Sequence, residues 1–211
     1  MFQDRVLFYI DILGFTEFIL SKDTDYKEVI KESMDKILKV SQVFQEKKGS
    51  KINVNTSIMS DSVVCSFEVS DRNSNIINLA AIFIACTAFQ SSLLRMGILS
   101  RGALIREGCN HMNNIVYGPA LIHAYHMERE KAVFPRVIFH DSAKKFVDEL
   151  KSEKINKFLN IDNDKLIYID YLSRLEEYSC DRKKIKALID QKINEQSEKV
   201  KVKYRWIKEK I

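Results

Sequence analysis

The alternation of apolar and polar positions along the chain predicts a mixed α and β protein. In the first half it indicates a strand, a helix, two strands, a helix and a strand, over residues 5–13, 25–47, 51–58, 62–69, 75–95 and 97–107. The tight turn between the two middle strands makes them a β-hairpin with Asp61 at its tip. This β-α-β-β-α-β order is that of the ferredoxin-like, or palm, arrangement, so we predict an α+β fold around an antiparallel sheet.

Shorter elements follow in the second half. The pattern predicts a turn over 108–114, a strand over 115–118, a helix from 119 to about 132, a strand over 136–140, a helix over 141–154, a strand over 165–172 and a long charged helix from about 181. We therefore divide the chain into a core domain, residues 1–150, and a C-terminal strand and helix extension, residues 151–211, packed on that core.

Composition favours a folded protein of the cytoplasm. The 211 residues are 45% hydrophobic and include only six Gly and two Pro, which supports a sizeable core. The four cysteines lack metal-ligand spacing, and no secretory signal opens the chain. The longest apolar run, which begins at Ile76, is too short to cross a bilayer, so we expect no membrane contact.

The net charge of +5 is concentrated in the last helix. Residues 181–211 hold eleven Lys or Arg against five Asp or Glu, a balance of +6. Nucleic acid or acidic lipid could bind such a segment. We favour a solvated helix face instead, because acids interleave with the bases and no aromatic-rich binding motif accompanies them.

One carboxylate, Asp11, interrupts the first apolar strand. A buried acid is costly unless a positive group meets it, and the predicted topology brings Asp61 next to it. A divalent cation would relieve the repulsion between the two, and Mg²⁺ or Mn²⁺ takes carboxylate and phosphate oxygens together. The backbone N–H groups of a short helix beginning after Asp11, at Leu13, Gly14, Phe15 and Thr16, would hold a triphosphate. The alternative is that Asp11 is an ordinary turn former or helix cap.

Four segments in order carry a resemblance to a known family. They are FYIDILGFT, SIMSDSVVCSF, SRGALIREG and VYGPALIHAYHMEREKAVFPRV, within residues 5–145. Together they are similar to the class III nucleotidyl cyclases, and closest to the bacterial pyrimidine cyclases of Pycsar anti-phage defence. The resemblance identifies residues 1–150 as the catalytic domain and implies that Asp11, Ile12 and Asp61 hold two divalent metal ions. It also implies a head-to-tail homodimer, in which one subunit supplies the metal aspartates and the other the groups facing base and ribose.

The chain departs from the purine cyclases of this class at four positions. Ser57 and Ile115 stand where those enzymes usually carry a Lys and an Asp or similar polar group that read the base. Ile122 and His126 stand where a ribose-binding Asn and a transition-state Arg are usual. The substitutes in range for that arginine are Arg101, Arg129, Lys131 and Arg136.

Candidate site residues also have structural interpretations. Arg101 could face the active site as a catalytic group, or pair with an acid such as Glu107. Tyr125 could stack on the base or belong to the core. The predicted base- or ribose-facing residues are Ser57, Arg101, Tyr125 and Arg129.

The function that follows is a metal-dependent cyclase. It would convert UTP or CTP to the 3′,5′-cyclic monophosphate and pyrophosphate, because the purine-reading pattern is absent. The resemblance implies that the product would be an anti-phage second messenger for a separate effector protein. The alternatives are a purine cyclase and a cyclase-like domain that binds nucleotide without catalysis. A diguanylate cyclase or polymerase is less favoured, because no GG[DE]EF-like signature occurs.

Overall fold

A mixed sheet with helices packed against it forms the structure, a computed structural model that describes residues 1–20, 27, 28, 30–32, 34, 35 and 52–211. Its strands are β1 (Gln3–Leu13), β2 (Asn55–Met59), β3 (Ser62–Glu68), β4 (Leu99–Met112), β5 (Ile115–Tyr117), β6 (Val137–Phe139), β7 (Leu159–Ile161) and β8 (Ile167–Ile169). Its helices are α1 (Phe15–Leu20), α2 (Arg72–Leu94), α3 (Pro119–Glu130), α4 (Asp141–Leu150), α5 (Glu153–Asn156), a 3-10 helix (Leu172–Tyr178), α6 (Arg182–Glu195) and α7 (Glu198–Lys210).

The first four strands confirm the palm arrangement. Their order in the sheet is β2-β3-β1-β4, and every neighbouring pair is antiparallel. The sheet continues through β6, β8 and β7, while β5 pairs with the end of β4. The α+β fold class is therefore confirmed. Of the helix predicted over residues 25–47, the described residues are helical, and the others lie outside the described part of the chain.

Side chains of β1 point alternately into two cores, as the period of a strand requires. Val6, Phe8 and Ile10 face the core that includes α2. Leu7 and Tyr9 face the second core, on the side of α3. We call this second side of the sheet the α3 face; Arg5 and Asp11 are the next residues of β1 that alternation assigns to it.

Helix α2 is the long apolar helix that the sequence indicates. Among the described residues it is the one helix long and apolar enough to cross a membrane by length and composition. However, 72% of its most apolar window is buried inside the protein. Leu79, Phe83 and Phe89 are at most 1% exposed, so this helix belongs to the first core.

The turn predicted over residues 108–114 is wrong in its extent. Strand β4 continues to Met112, and only Asn113 and Asn114 form the turn to β5. Both asparagines adopt left-handed backbone angles, with φ of 51° and 66°, which asparagine tolerates better than most residues. Gly108, which suggests a turn in the sequence, instead lies in the strand beneath the side chain of Phe2.

Three C-terminal elements also differ from their predictions. The helix predicted over 141–154 ends as α4 at Leu150, because Lys151 is left-handed with φ of 45°. The strand predicted over 165–172 is only the three-residue β8. The long charged helix is two helices, α6 and α7, separated by extended residues 196 and 197. The division of the chain at residue 150 stays a prediction.

Candidate active site

Asp11 and Asp61 lie beside each other where β1 ends and β2 turns into β3. Asp11 is near the end of β1, and Asp61 is in the two-residue turn between β2 and β3. The backbone N–H of Ile12 donates to the carbonyl oxygen of Asp61 at 3.1 Å, which joins the two segments. The turn is tight because Ser60 takes a left-handed φ of 57°. The antiparallel register thus brings together the two carboxylates that the sequence singles out.

The environment of Asp11 disfavours its charged form. Burial, together with the carboxylates of Asp61 and Glu128, raises the pKa of Asp11 to about 7. A hydrogen bond from Ser62 Oγ, at 3.0 Å, and the charge of Arg101 oppose this shift. The hydroxyl of Tyr9 donates in turn to Ser62 Oγ at 2.8 Å. Asp11 is therefore held in a fixed orientation at an electrostatic cost that a cation would remove.

The donor set fits a divalent cation that also binds substrate. Carboxylate oxygens suit Mg²⁺ and Mn²⁺, and such ions usually keep positions for water or phosphate oxygens. In the described part of the chain, no group of three or more His, Cys, Asp or Glu could enclose a metal. The two aspartates form an open acidic pair, as expected where the substrate completes the coordination.

Arg101 lies directly across from Asp11 but is engaged elsewhere. The two residues are register partners between β1 and β4. The guanidinium of Arg101 forms an ion pair with Glu128 of α3, and its Nη1 donates to the carbonyl oxygen of Ala132 at 3.2 Å. Arg101 thus pairs with an acid, as one interpretation of the sequence has it, but the acid is not Glu107, which accepts from His123 Nδ1 at 2.7 Å.

Comparison with solved structures identifies the fold. The monomeric guanylyl cyclase domain of the RhoGC fusion protein from the aquatic fungus Blastocladiella emersonii matches with a TM-score of 0.52 at 12% identity, over 80% of this chain and 95% of that one. A non-canonical dimeric guanylyl cyclase domain of the same fusion protein matches with a TM-score of 0.51 at 14% identity, over 80% of this chain and 93% of that one. This chain has the class III nucleotidyl cyclase fold. No protein-family model and no curated protein matches the sequence.

Within this cyclase fold, Tyr125 and Arg129 form a pair on α3. Tyr125 is 41% exposed and packs edge-on against Tyr9, with ring centroids 6.2 Å apart. Arg129 Nη1 donates to the hydroxyl of Tyr125 at 2.9 Å. Tyr9 is hydrogen-bonded to the serine that orients Asp11, so this pair borders the acidic site through one intervening ring.

The other two candidate cations, Arg136 and Lys131, have surroundings different from those of Arg101. Arg136 is fully buried and paired with Asp162 and Asp164, which removes it as a substitute for the transition-state arginine. Lys131 is exposed at the end of α3.

Gly14 turns the chain from β1 into α1 with a left-handed φ of 76°. The roles predicted for Leu13, Gly14, Phe15 and Thr16 toward a triphosphate stay predictions, as do those of Ile12, Asp11 and Asp61 toward metal.

Ser57 is enclosed by residues that the sequence does not single out. It is 2% exposed, and its hydroxyl is hydrogen-bonded to His111 Nε2 at 2.8 Å. His111 Nδ1 contacts Ser66 Oγ at 2.9 Å, and Arg5 Nε donates to the same hydroxyl at 3.0 Å. Burial first, and then the charge of Arg5, lowers the pKa of His111 to about 4, so its ring is neutral near pH 7.

The sequence does not point to His111, because its pattern predicts a turn over residues 108–114. Once β4 is extended to Met112, alternation assigns residue 111 to the α3 face with Ala103 and Ile105. Glu128 has a comparable signal, because it follows the buried residues Ala120 and Ala124 at helical spacing.

Proposed function

We propose that this chain is a metal-dependent nucleotide cyclase that acts as a homodimer on a pyrimidine nucleoside triphosphate. The main support for this proposal is that Asp11 and Asp61 are adjacent at the ends of neighbouring strands in a cyclase fold. Ser62 and Tyr9 hold one of these acids in place although burial and the second acid oppose its charge. Binding of divalent ions would explain why two carboxylates are held next to each other despite their repulsion.

The reaction is an internal displacement at phosphorus. The 3′-hydroxyl oxygen of UTP or CTP loses its proton to water and forms a bond to the α-phosphorus, the bond from the α-phosphorus to the oxygen that bridges to the β-phosphate breaks, and pyrophosphate leaves. Asp11 and Asp61, with the main chain at Ile12, would hold two divalent ions, Mg²⁺ or Mn²⁺, whose positive charge would stabilise the phosphates. Asp11 must be ionised to serve as a ligand, and Ser62 keeps its Oδ1 oriented.

Arg101 belongs to the same half of the site as the acids. Its position across from Asp11 favours a role toward the phosphates over one toward the base. To reach them, the guanidinium would leave Glu128 and the carbonyl of Ala132. Tyr125 and Arg129, exposed on α3, are the remaining candidates for the ribose.

The length of β1 supports a site shared between two chains. Gln3, at its beginning, and Asp11 are eight residues apart, roughly 26 Å at about 3.3 Å per residue. A nucleoside triphosphate is shorter than this, so one that is held by Asp11 cannot reach the beginning of β1 in the same chain. A second copy in the opposite orientation brings the two ends together.

The deciding experiment is an assay with each nucleotide separately. Purified protein is incubated with Mn²⁺ and ATP, GTP, CTP or UTP, and the products are identified by mass. We expect cyclic UMP or cyclic CMP. Cyclic AMP or cyclic GMP without a pyrimidine product would instead indicate a purine cyclase. The Asp11→Asn protein, assayed in the same way, is the negative control.

A nucleotide-binding protein without catalysis is the second candidate. The engagement of Arg101 by Glu128 favours it, as do Ile122 and His126, which replace the usual Asn and Arg and are both exposed. Nucleotide binding without product in the same assay would support this candidate. For the catalytic protein, the resemblance in the sequence supports a cytoplasmic anti-phage messenger read by a separate effector.

A further inference from the structure

A lysine of the last helix lies beside the ion pair that holds Arg101. Lys203, on α7, is half-buried. In the described part of the chain it forms no hydrogen bond or ion pair. Burial first, and then the charges of Arg101 and Lys199, lower the pKa of Lys203, while the charge of Glu128 raises it. Lys203 is therefore a partly dehydrated cation that is close to both members of the pair and bonded to neither.

The packing of α7 explains this position. Trp206 stacks on Phe134, two residues after Ala132, whose carbonyl oxygen accepts from Arg101. Residues three apart on a helix lie on the same face, so Lys203 is one turn before Trp206 on the face that meets this segment. The contact that anchors α7 thus directs Lys203 toward the end of α3.

Glu128 depends on a nearby cation. Its side chain is 2% exposed, and burial raises its pKa, while the charges of Arg101, Arg129 and Lys203 oppose the rise. Removing one partner of a buried ion pair is strongly destabilising, because the other charge stays buried and unpaired. If Arg101 turned to substrate phosphates without a replacement, Glu128 would be left in that state.

Lys203 is better placed than Arg129 to serve as the replacement. Arg129 directly follows Glu128 on α3, and adjacent residues of a helix do not face each other. Its Nη1 donates to the hydroxyl of Tyr125 at 2.9 Å, and its guanidinium lies over that ring. Lys203 has a compact charge on a flexible stem and no bond to a described residue that must break first.

We propose that Lys203 is a positioning residue for Arg101, and that its amine takes over the carboxylate of Glu128 when the guanidinium turns to the phosphates of the substrate. The proposal rests on the proposed function and deepens it by naming what holds and what releases Arg101. No covalent bond changes. One ion pair of Glu128 replaces another, so this buried carboxylate keeps a cation in both states, and α7 becomes part of the working site.

The exchange is tested first by chemical denaturation without nucleotide at pH 8. In wild type, Arg101 satisfies Glu128, so Lys203→Met should change the equilibrium constant of unfolding by no more than about threefold. In Arg101→Met, Lys203 is the remaining partner, and the same substitution should raise that constant about tenfold or more, up to complete unfolding. Lys203→Arg keeps the charge and should match wild-type lysine in both backgrounds.

The matched control is Lys199→Met, which removes a lysine from an exposed position one turn earlier on α7. It should change the unfolding constant by no more than about twofold in either background. Equal effects of Lys203→Met in the two backgrounds would overturn the proposal. An Arg101→Met protein that does not fold would overturn it as well, because Lys203 should then have supplied the missing charge.

Binding of inorganic tripolyphosphate with Mn²⁺, measured by calorimetry, tests the link to the phosphates. Lys203→Met should weaken this binding about tenfold, because Arg101 cannot leave without unpairing Glu128. In Glu128→Gln no carboxylate remains to be unpaired, so Lys203→Met should change the affinity by no more than about twofold. A loss of the same size in both backgrounds would mean that Lys203 attracts phosphate by its own charge, which contradicts the exchange. An unchanged affinity in Lys203→Met, or no binding to wild type, contradicts it too.

The cyclase assay on the same variants lets the two proposals fail separately. If no nucleotide is cyclised but the expected pattern of stability and binding is found, the proposed function fails and the exchange stands. If a nucleotide is cyclised and Lys203→Met has neither effect, the exchange fails and the function stands. Where both hold, Lys203→Met should lower kcat/KM about tenfold, and Lys203→Arg should restore most of it.

Discussion

At the scale of single residues, Asp11 is an acid whose surroundings favour the neutral form. Its pKa rises from the ordinary 3.8 to about 7, so the folded protein binds a proton more tightly than the unfolded chain between these values. The free energy of unfolding must then fall as pH rises from about 4 to about 7. Asp11→Asn lacks this dependence. Without divalent ions at pH 8, it should be more stable than wild type by about 1 to 2 kcal/mol, a value reduced for solvent access, and nearly equal at pH 4. Urea denaturation at both pH values measures the difference, and an asparagine variant less stable than wild type at pH 8 contradicts the expectation.

Asp61 gives the complementary prediction for metal binding. Mn²⁺ at about 100 times its dissociation constant should stabilise wild type by about 2.7 kcal/mol. Asp61→Asn should lose most of this stabilisation together with turnover, because one carboxylate of the pair is gone. The control is Asp148→Asn, at an exposed position of α4, which should keep both. Thermal unfolding with and without Mn²⁺ measures the effect, and equal stabilisation of wild type and Asp61→Asn would remove the metal assignment.

Some residues of the site could be recognised from the sequence and others could not. Asp11 is conspicuous because it is charged inside an apolar strand, and the topology then finds Asp61. The pairing of Arg101 with Glu128 depends on how α3 docks on β4, and the contact of Ser57 with His111 depends on how far β4 extends. Local periodicity carries neither kind of information, because both contacts join residues distant in the sequence.

At the scale of elements, the first four strands follow directly from the sequence because each has a strong apolar pattern. The short C-terminal elements have no such pattern. They are held instead by contacts to the core, in which Trp206 of α7 stacks on Phe134 with ring centroids 5.6 Å apart. Its Nε1 donates to Asp162 at 2.6 Å, and Asp162 also pairs with the buried Arg136.

Trp206→Ala should therefore destabilise the whole protein. We expect a loss of about 3 to 5 kcal/mol, as for other large aromatic residues removed from a core. Lys208→Ala changes the same helix at a surface pair with Asp190 and should shift stability by no more than about 0.5 kcal/mol. Chemical denaturation of both variants provides the comparison. Similar stabilities for Trp206→Ala and wild type would mean that α7 contributes little to the fold.

At the scale of the whole molecule, apolar side chains remain exposed around the β4–β5 hairpin and α3. Met112 is 70% exposed, Ile115 65% and Ile122 57%. A second copy of the chain would cover them in the proposed dimer. In that dimer, the acids of one copy and the α3 groups Tyr125 and Arg129 of the other would form each active site.

Mixing two inactive variants tests this shared site. Asp11→Asn disables the acidic half, and Arg129→Ala removes a candidate ribose-binding group from the other half. After subunit exchange, half of the dimers contain one chain of each kind and one intact site, so activity should recover to about a quarter of the wild-type value. Exchange is verified with differently tagged chains. If exchange occurs and activity stays absent, each site lies within one chain.

The burial of Arg136 also constrains how the protein is made. Its acidic partners Asp162 and Asp164 follow it in the chain, and the ring of Trp206, which lies over its guanidinium 5.7 Å away, is translated 70 residues after it. A nascent chain that has not yet reached Trp206 leaves this cation open to water, and the second core incomplete. The second core therefore closes only after Trp206 has been made, so chains that stop before it would be exposed to proteolysis.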